Sequence, residues 1–511
     1  MTWQPGPPQQ PYQPYPPQGP RYPPSPPPPG PHRGHRGPGR PGNKLTWLLS
    51  GAAVLAALIV GAVFALTSGG HGTSGSAGVT AKGAGVAAKP AASWQALAAQ
   101  HHALGTWAYG NSLVVAASTQ VTAYNQLTGA VRWRTKAPVA QGYNTMFCGA
   151  SLSASGPTAV LGIGVVTDST GADSDCHSIA ALDLATGKLG WVQALPSVAE
   201  QTTYARSLEG QPGLAQHGLV VEVSGHTVVA GWVGVLAGFS LTTGAREWTN
   251  VVGGDSNLEN YVVKDIAISG ASAYAAVSEV FPSSMQMLRL DLATGKVIRK
   301  VTVSKGMTGL ASPLEATILS AAPLTVAFGQ ITPADATSIV FFTGGLAAGH
   351  VLPGEPQGGG APLFAAAVGG DDEAHQFLPF AAGDGLLAAV TLPSSDGAGN
   401  ALVAFSAATG TRKWSATIPG TEVFDPVAVT GSVVQAVGIS QSGQGNPVLV
   451  SVDAATGKVL STGRPRVLGP APLGQANAYY RYVTAGGHVY GVNWGITKTA
   501  AGSVPAVFSL G

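Results

Sequence analysis

Two cysteines, Cys148 and Cys176, are the only thiols in this 511-residue sequence. They have one histidine beside them, His177, and a structural zinc site needs a fourth ligand that is not nearby. A disulfide is therefore the chemistry that we expect of the pair, and two buried free thiols are the alternative. A stable bridge would require an oxidising compartment.

The other chemistry-bearing residues form short clusters. Acidic residues gather between Asp168 and Asp175 and again between Asp371 and Glu373, and His101 and His102 are adjacent. The acidic spacing departs from the D-x-D-x-D-G pattern of a calcium loop, which favours solvated loops. The sequence has neither a phosphate-binding G-x-x-x-x-G-K-[ST] loop nor a G-x-S-x-G elbow. It therefore indicates no catalytic residue and no metal ligand.

A repeated phrase indicates which elements must position these residues. LDLATGK occurs at Leu182–Lys188 and at Leu290–Lys296, and looser copies bring the total to six. The copies align on their turn glycines: Gly129, Gly187, Gly244, Gly295, Gly410 and Gly457. Their spacing is nearly regular apart from one double gap, which we fill with a degenerate unit at Phe341–Pro353 that turns at Gly349. A last copy ends at Gly511, so we expect eight units, with seven as the alternative.

The sequence of each unit predicts four short strands. Apolar runs flanked by glycine suit strands, and the Thr-Gly pair suits a hairpin whose glycine is left-handed. Four residues after the glycine stands a tryptophan in four units (Trp133, Trp191, Trp248 and Trp414), Arg299 or Ser461 in two, and no aromatic residue in the degenerate one. We expect the tryptophans to pack between sheets and not to bind a ligand. The pattern predicts an all-β, eight-bladed β-propeller over residues 94–511, whose last blade is completed by the earliest strands.

Three segments precede the propeller. Residues 1–43 hold 17 of the 38 prolines and are expected to be a disordered tail. Residues 44–67 contain the uncharged stretch Leu45–Leu66, which is long enough for a membrane-spanning helix. Basic residues precede this stretch and none follows it before Lys82, which predicts a cytoplasmic N-terminus and an extracytoplasmic propeller. Residues 68–93 form a flexible Gly/Ser/Ala linker.

The charge distribution argues against nucleic acid as a partner. No Asp or Glu precedes Asp168, and residues 93–511 hold 19 basic and 24 acidic residues, a net charge of −5. A nucleic-acid-binding domain is expected to show the opposite sign.

The phrase apolar-Asp/Ser-x-x-Thr-Gly-x-x-x-Trp resembles the repeat of the PQQ-type, quinoprotein-like propellers. That resemblance implies an eight-bladed ring and either of two roles. Some members are quinone-dependent dehydrogenases, which hold calcium and place a disulfide of adjacent cysteines against the quinone; this sequence shows neither feature. Others are non-catalytic, including a scaffold of the outer-membrane barrel-assembly machine and membrane-anchored actinobacterial proteins, which this architecture is most similar to.

We therefore expect no enzyme and no cofactor. The sequence favours a single-pass membrane protein whose propeller binds protein or cell-envelope ligands. A PQQ-dependent oxidoreductase and an envelope sensor that relays to the Pro-rich tail are the alternatives.

Overall fold

The structure is a computed structural model that describes most of the predicted propeller. The described residues are 95–97, 103–138, 145–166, 174–196, 219–252, 261–279, 284–308, 315–329, 337–343, 346–353, 380–390, 401–418, 423–439, 447–463, 480–493, 498–499, 502–503 and 505–510. The predicted tail, membrane span and linker lie outside these residues. Within the described residues there is no helix with the length and hydrophobicity that a bilayer span requires.

Thirty-four strands and one helical turn make up the described part of the compact unit Val86–Gly511. In chain order they are β1 (Gln95–Leu97), β2 (Ala103–Tyr109), β3 (Ser112–Ala117), β4 (Gln120–Asn125), β5 (Val131–Lys136), β6 (Thr145–Ala150), β7 (Thr158–Val166), β8 (Ser174–Asp183), β9 (Leu189–Ala194), β10 (Val220–Ser224), β11 (Thr227–Trp232), β12 (Val235–Ser240), β13 (Arg246–Val251), β14 (Tyr261–Ser269), β15 (Ser272–Glu279), β16 (Ser284–Asp291), β17 (Val297–Val303), α1 (Lys305–Thr308), β18 (Glu315–Ala321), β19 (Leu324–Gly329), β20 (Thr337–Thr343), β21 (Ala347–Pro353), β22 (Ala381–Gly383), β23 (Leu386–Val390), β24 (Leu402–Ser406), β25 (Arg412–Ala416), β26 (Val423–Thr430), β27 (Val433–Ile439), β28 (Val448–Asp453), β29 (Val459–Gly463), β30 (Tyr480–Ala485), β31 (His488–Asn493), β32 (Lys498–Thr499), β33 (Gly502–Ser503) and β34 (Pro505–Ser509).

Thirty-two of the described strands form eight four-stranded antiparallel sheets, which confirms the eight-bladed propeller, and β32 and β33 pair with each other as a separate two-stranded sheet. Blade 1 is β2–β5, and blades 2 to 7 follow in fours: β6–β9, β10–β13, β14–β17, β18–β21, β22–β25 and β26–β29. Blade 8 takes β30, β31, β34 and, as its outermost strand, β1. The first strand of every blade contacts the first strand of the next, and β30 contacts β2 to complete the circle. The seven-bladed alternative is therefore wrong.

The ring is closed by pairing between the two ends of the propeller sequence. In blade 8, Gln95 lies opposite Phe508 and Ala96 lies opposite Val507. The expectation that the earliest strands complete the last blade is confirmed. Such pairing leaves fewer free sheet edges than an open stack of sheets would have.

The hydrophobic core lies between neighbouring blades. One cluster joins blades 1 and 2 through Trp107, Phe147 and Leu161, and a corresponding cluster joins blades 6 and 7 through Trp414 and Val450. Both faces of each sheet must therefore be apolar, because each face packs on a different neighbour. This explains the continuous Val and Ala runs that the sequence shows in place of strict alternation.

The degenerate fifth unit corrects two details of the sequence prediction. Gly349 does not turn the chain: it lies within β21, at the bulge between the Phe342–Ala348 and Phe341–His350 pairs. The hairpin turns instead beside Leu346, whose φ is 60°. Because the count started from Gly349, the sequence prediction found no aromatic residue in this unit. The imidazole of His350 occupies the position that a tryptophan holds in other units.

Candidate functional site

The repeated phrase is a hydrogen-bonded turn between the third and fourth strands of a blade. In LDLATGK, Asp183 Oδ1 accepts the Ala185 N–H at 2.8 Å, and the Thr186 hydroxyl donates to Asp183 Oδ2 at 2.7 Å. The Gly187 N–H donates to the Asp183 carbonyl at 2.7 Å. Side-chain acceptors of this kind replace backbone partners in tight turns, which explains why Asp and Thr recur. In the second copy, hydrogen bonds from Thr294 lower the pKa of Asp291.

Five of the six repeat glycines make room for a ring of the preceding blade. A Cβ on Gly295 would lie 2.2 Å from Cε3 of Trp248, and one on Gly457 would lie 2.8 Å from Trp414. The Trp248 indole N–H donates to the Leu292 carbonyl at 2.9 Å, at the start of the same turn. All six repeat glycines also have φ between 67° and 76°. Close approach and left-handed backbone both require glycine here.

The same arrangement recurs around the ring with two departures. Trp191 packs on Gly244, and Trp133 packs on Gly187, but the Trp133 N–H has no hydrogen-bond partner among the described residues. In the fifth blade, His350 packs on Gly410 in the place of a tryptophan. The sequence-predicted tryptophans and five of the six repeat glycines thus lie in contacts between blades.

Cys148 and Cys176 form a disulfide within blade 2. Their sulfur atoms are 1.99 Å apart and their Cα atoms 5.9 Å apart. The bridge joins the first and third strands of the sheet, and Gly162 lies on the strand between them. A Cβ on Gly162 would be 3.2 Å from Cys148 Sγ, so glycine leaves space for the sulfur. The alternative of two free thiols is excluded.

A half-buried carboxyl lies on the first strand of blade 3. Burial raises the pKa of Glu222 to about 7; hydrogen bonds from Ser153 oppose this rise and the charge of Asp265 adds to it. Glu222 Oε1 lies 2.7 Å from Ser153 Oγ of blade 2, whereas Oε2 is buried and finds no partner in the described part of the chain. A carboxyl with this pKa exists in both protonation states near neutral pH.

The two short contacts of Ser153 are both satisfied only when Glu222 carries a proton. Ser153 Oγ lies 2.7 Å from Glu222 Oε1 and 2.6 Å from the Val223 carbonyl oxygen. A hydroxyl has one proton to donate, so an ionised Glu222 and the carbonyl would compete for it. If Glu222 is protonated, it donates to Ser153 and Ser153 donates to Val223, and both contacts are satisfied.

The neighbouring Asp265 joins two further blades. It lies on the first strand of blade 4, where its Oδ1 accepts the Ile266 N–H at 2.8 Å. Its Oδ2 accepts the Ile318 N–H of blade 5 at 2.6 Å. Both carboxylate oxygens therefore hold backbone donors, and the side chain contributes to holding the ring together.

These donors do not fit the calcium and quinone of the PQQ-type dehydrogenases. Calcium takes six to eight oxygen ligands, but the oxygens of Asp265 already accept N–H groups. The bridged cysteines, Cys148 and Cys176, are not adjacent in sequence. In the described ranges, no group of three or more His, Cys, Asp or Glu side chains is arranged to hold a metal ion.

A small cleft opens between blades 8 and 1. Its walls include Thr106 and Trp107 of blade 1, Val483 and Thr484 of blade 8, and Leu152 of blade 2, and its volume is about 190 Å³. The Trp107 N–H donates to the Ser151 carbonyl at 2.9 Å and so does not face the cleft as a donor. Drug-sized ligands occupy roughly 300–1,000 Å³, so this cleft is small for one.

The outer rim, defined as the fourth strands of the blades, exposes apolar side chains. Seven large apolar side chains are exposed among the described residues, and five of them lie on this rim in five different blades: Val131, Val192, Val251, Ile298 and Leu460. Ile298 and Val192 are each 54% exposed. The rim therefore offers contact area that the fold itself does not use.

Sequence reasoning missed the functional groups that come from distant parts of the chain. Glu222 and Asp265 lie on the first strands of blades 3 and 4, and Ser153 lies between the first two strands of blade 2. These residues are 112 positions apart at their extremes and are neighbours only because consecutive blades are neighbours in the ring. The acidic run from Asp371 to Glu373 and the pair His101–His102 lie outside the described residues.

Comparison with known proteins agrees with the repeat analysis. A family model described as "Outer membrane protein assembly factor BamB" matches residues 84–209 and 117–323. The resemblance to the PQQ-type repeat family is confirmed over this part of the chain. The narrower likeness to non-catalytic actinobacterial members stays a prediction. The sequence matches none of the curated proteins with which it was compared.

Several solved structures are similar to this chain. BamB from Moraxella catarrhalis has 13% identity and a TM-score of 0.44, over 82% of this chain and 98% of that one. The quinohemoprotein alcohol dehydrogenase ADHIIG from Pseudomonas putida HK5 has 12% identity and a TM-score of 0.46, over 82% and 75%. The corresponding enzyme from Comamonas testosteroni has 13% identity and a TM-score of 0.46, with the same coverage. Likenesses at this level do not indicate what the chain binds.

Proposed function

We propose that this chain, whose repeats are of the PQQ type, is a membrane-anchored binding or scaffold module. Its propeller would stand outside the cytoplasmic membrane, on a single span at residues 44–67, and bind protein or cell-envelope ligands. The family description that matches it names an assembly factor, which is in keeping with a role in protein contacts.

The observation that carries this proposal is the exposed apolar rim on a closed ring. Five blades each present a Val, Ile or Leu to solvent on the fourth strand, whereas most apolar side chains of the second and third strands are buried. Apolar side chains on a rigid perimeter suit protein contacts, because little conformational entropy is lost when they bind. Single exposed apolar residues are common on any surface, so the proposal rests on their recurrence at the fourth strand of blades 1 to 4 and of blade 7.

The disulfide supports an extracytoplasmic location. Disulfides persist in oxidising compartments and are rare in the cytosol, where thiols are kept reduced. The bridge lies C-terminal to the predicted span, on the side that the basic residues before Leu45 assign to the exterior. Two independent features thus favour the same side of the membrane.

Cysteine accessibility in intact cells tests the topology. Ser224→Cys places a thiol at an exposed position of blade 3, and Gln9→Cys places one in the N-terminal segment; the native cysteines are bridged and do not react. We expect a membrane-impermeant maleimide to label only the first variant. Labelling of the second variant alone would reverse the proposed orientation.

Capture from membranes tests the binding role. The full-length chain is compared with Val192→Glu and Ile298→Glu variants, which place charge on the rim, and with Thr249→Glu, an exposed polar position on the fourth strand of blade 3. We expect a protein that the wild type and Thr249→Glu retain and that the two rim variants lose. Equal recovery by all four chains would contradict a role for the rim.

A PQQ-dependent oxidoreductase is the competing function, favoured by one feature, the Glu222 carboxyl with a pKa near 7. Such a pKa suits a general base. Addition of PQQ with calcium to the purified chain separates the two functions. We expect neither tight binding nor dye reduction, and either result would favour the enzyme.

A sensor that relays to the Pro-rich tail is a third function. A single helix transmits little on its own, so this role requires a dimer. Crosslinking in membranes would detect such a dimer.

A further inference from the structure

The outer strand of blade 1 combines a sheet edge that no described strand pairs with and three exposed basic residues. Strand β5 pairs with β4 along one side, and among the described residues no strand pairs with its other side. Arg132, Arg134 and Lys136 are all exposed on it. Residues 93–167 contain these three basic residues and no Asp or Glu. Neither the sheet nor the nearby sequence neutralises this charge.

The pairing register places the side chains of β5. Trp133 lies opposite Ala123 and packs towards blade 2, against Gly187. Arg134 and Lys136 lie opposite Thr122 and Gln120 and so share the other face of the sheet. Because alternate residues of a strand point to the same side, these two charges repeat at about 7 Å along the edge.

Apolar and basic groups are adjacent at this edge. Val131, 41% exposed, begins the strand, and Leu127, 55% exposed, lies in the turn that precedes it. Arg132, at the bulge between them and Trp133, is held by hydrogen bonds from its guanidinium to Asn111 and to the Ser112 hydroxyl, the latter at 2.8 Å. The surface is therefore partly ordered before any partner arrives.

Other outer strands do not share this arrangement. The fourth strand of blade 2 carries no charged residue, and that of blade 3 carries Arg246 beside Glu247. In blade 6, Arg412 and Lys413 are consecutive, so they do not form an alternating row. Basic residues on an edge strand normally discourage pairing with another strand. This discouraging effect is weaker when the incoming strand carries acidic residues, because opposite charges on paired strands attract.

We infer that the free edge of β5 binds an extended acidic peptide by strand addition. The added strand satisfies the backbone N–H and C=O groups of the edge and places alternate Asp or Glu side chains against Arg134 and Lys136. An anionic membrane would match the charge but would leave the edge amides without backbone partners. This inference rests on the proposed binding function and names the chemistry of its partner.

A synthetic peptide tests the inference on the full-length chain in detergent. The probe is acetyl-Thr-Asp-Val-Asp-Val-Asp-Thr-amide carrying a fluorophore, and its binding is measured by anisotropy. The variant Arg134→Glu/Lys136→Glu reverses both charges. We expect it to weaken binding by about tenfold or more. The matched control Arg412→Glu/Lys413→Glu reverses two charges on the fourth strand of blade 6 and should change binding by less than about twofold.

Two further measurements separate strand addition from general attraction. A peptide of the same sequence with alternate amides N-methylated keeps the charge but cannot pair along its backbone, and we expect it not to bind. Equal binding of the methylated peptide, or equal weakening by both double variants, overturns the inference. Binding of anionic phosphatidylglycerol vesicles through Arg134 and Lys136, with no binding of the peptide, overturns it as well.

Failure of this inference is distinct from failure of the proposed function. If the peptide does not bind while capture through the rim residues Val192 and Ile298 succeeds, the scaffold role stands and only this site is wrong. Near-ultraviolet circular dichroism of the Arg134→Glu/Lys136→Glu variant checks that its fold is unchanged. The methylated peptide, which uses the unaltered chain, decides the question if that variant does not fold.

Discussion

Replacement of Glu222 by glutamine should make the propeller more stable at neutral pH and leave it nearly unchanged in acid. Burial raises the pKa of this carboxyl to about 7 from an ordinary value of 4.5. The unfolded chain releases the proton near the ordinary value, whereas the folded chain retains it until about pH 7. Between pH 4.5 and about pH 7, folding therefore takes up a proton at Glu222. The free energy of unfolding falls as pH rises through this range.

The magnitude follows from the same two values. Each pH unit between them corresponds to about 1.4 kcal/mol, so the wild type loses at most about 3 kcal/mol of unfolding free energy by pH 7. Glutamine has the shape of the protonated carboxyl and does not titrate. The difference between the variant and the wild type should therefore grow by about this amount from pH 5 to pH 8, in favour of Glu222→Gln.

Urea unfolding followed by tryptophan fluorescence across that pH range is the assay. Glu247→Gln, at an exposed glutamate on the outer strand of the same blade, is the matched control and should show no such growth. Infrared spectroscopy at pH 6 should also show a protonated carboxyl band that the Glu222→Gln variant lacks. If the stability difference is the same at every pH, the reasoning about Glu222 and Ser153 is refuted.

Three further predictions concern the contacts between and within blades. Trp248→Phe removes a hydrogen bond to the Leu292 carbonyl and should cost about 1 kcal/mol more than Trp133→Phe, whose indole N–H has no partner among the described residues; urea midpoints compare the two. Gly295→Ala should unfold the ring well below the wild-type temperature because its Cβ would meet Trp248, whereas Gly110→Ala, with the same left-handed backbone in open space, should cost only about 1–2 kcal/mol in calorimetry. Reduction of the disulfide, which closes a 28-residue separation, should lower stability by about 3–4 kcal/mol, and an unchanged unfolding midpoint in reductant would contradict this.

The sequence predicted the parts of the fold that are determined by residues close together in the chain. Asp183, Thr186 and Gly187 lie within five positions, and each has its role in the turn that contains it. Repetition of that turn predicted eight blades, with seven as the alternative, and the structure has eight. The same repetition led to the correct expectation that β1 completes the last sheet.

Features that depend on contacts between blades were not visible in the sequence. The pairing of Glu222 with Ser153 joins residues 69 positions apart, and no local motif marks either one. The role of His350 was hidden for another reason. Its unit has no Asp and departs from the spacing of the phrase, so the count began at Gly349, a bulge residue in a strand.

The pairing of β1 with β34 has a consequence for how the ring is made during synthesis. When the first seven sheets have been synthesised, blade 8 still lacks β34. Strand β1 is synthesised first but has no partner strand until β34 is made. The earliest segment of the propeller thus waits for one of the latest. A chain interrupted before Pro505 would present the unpaired edges of blade 8, the kind of surface on which nascent chains aggregate.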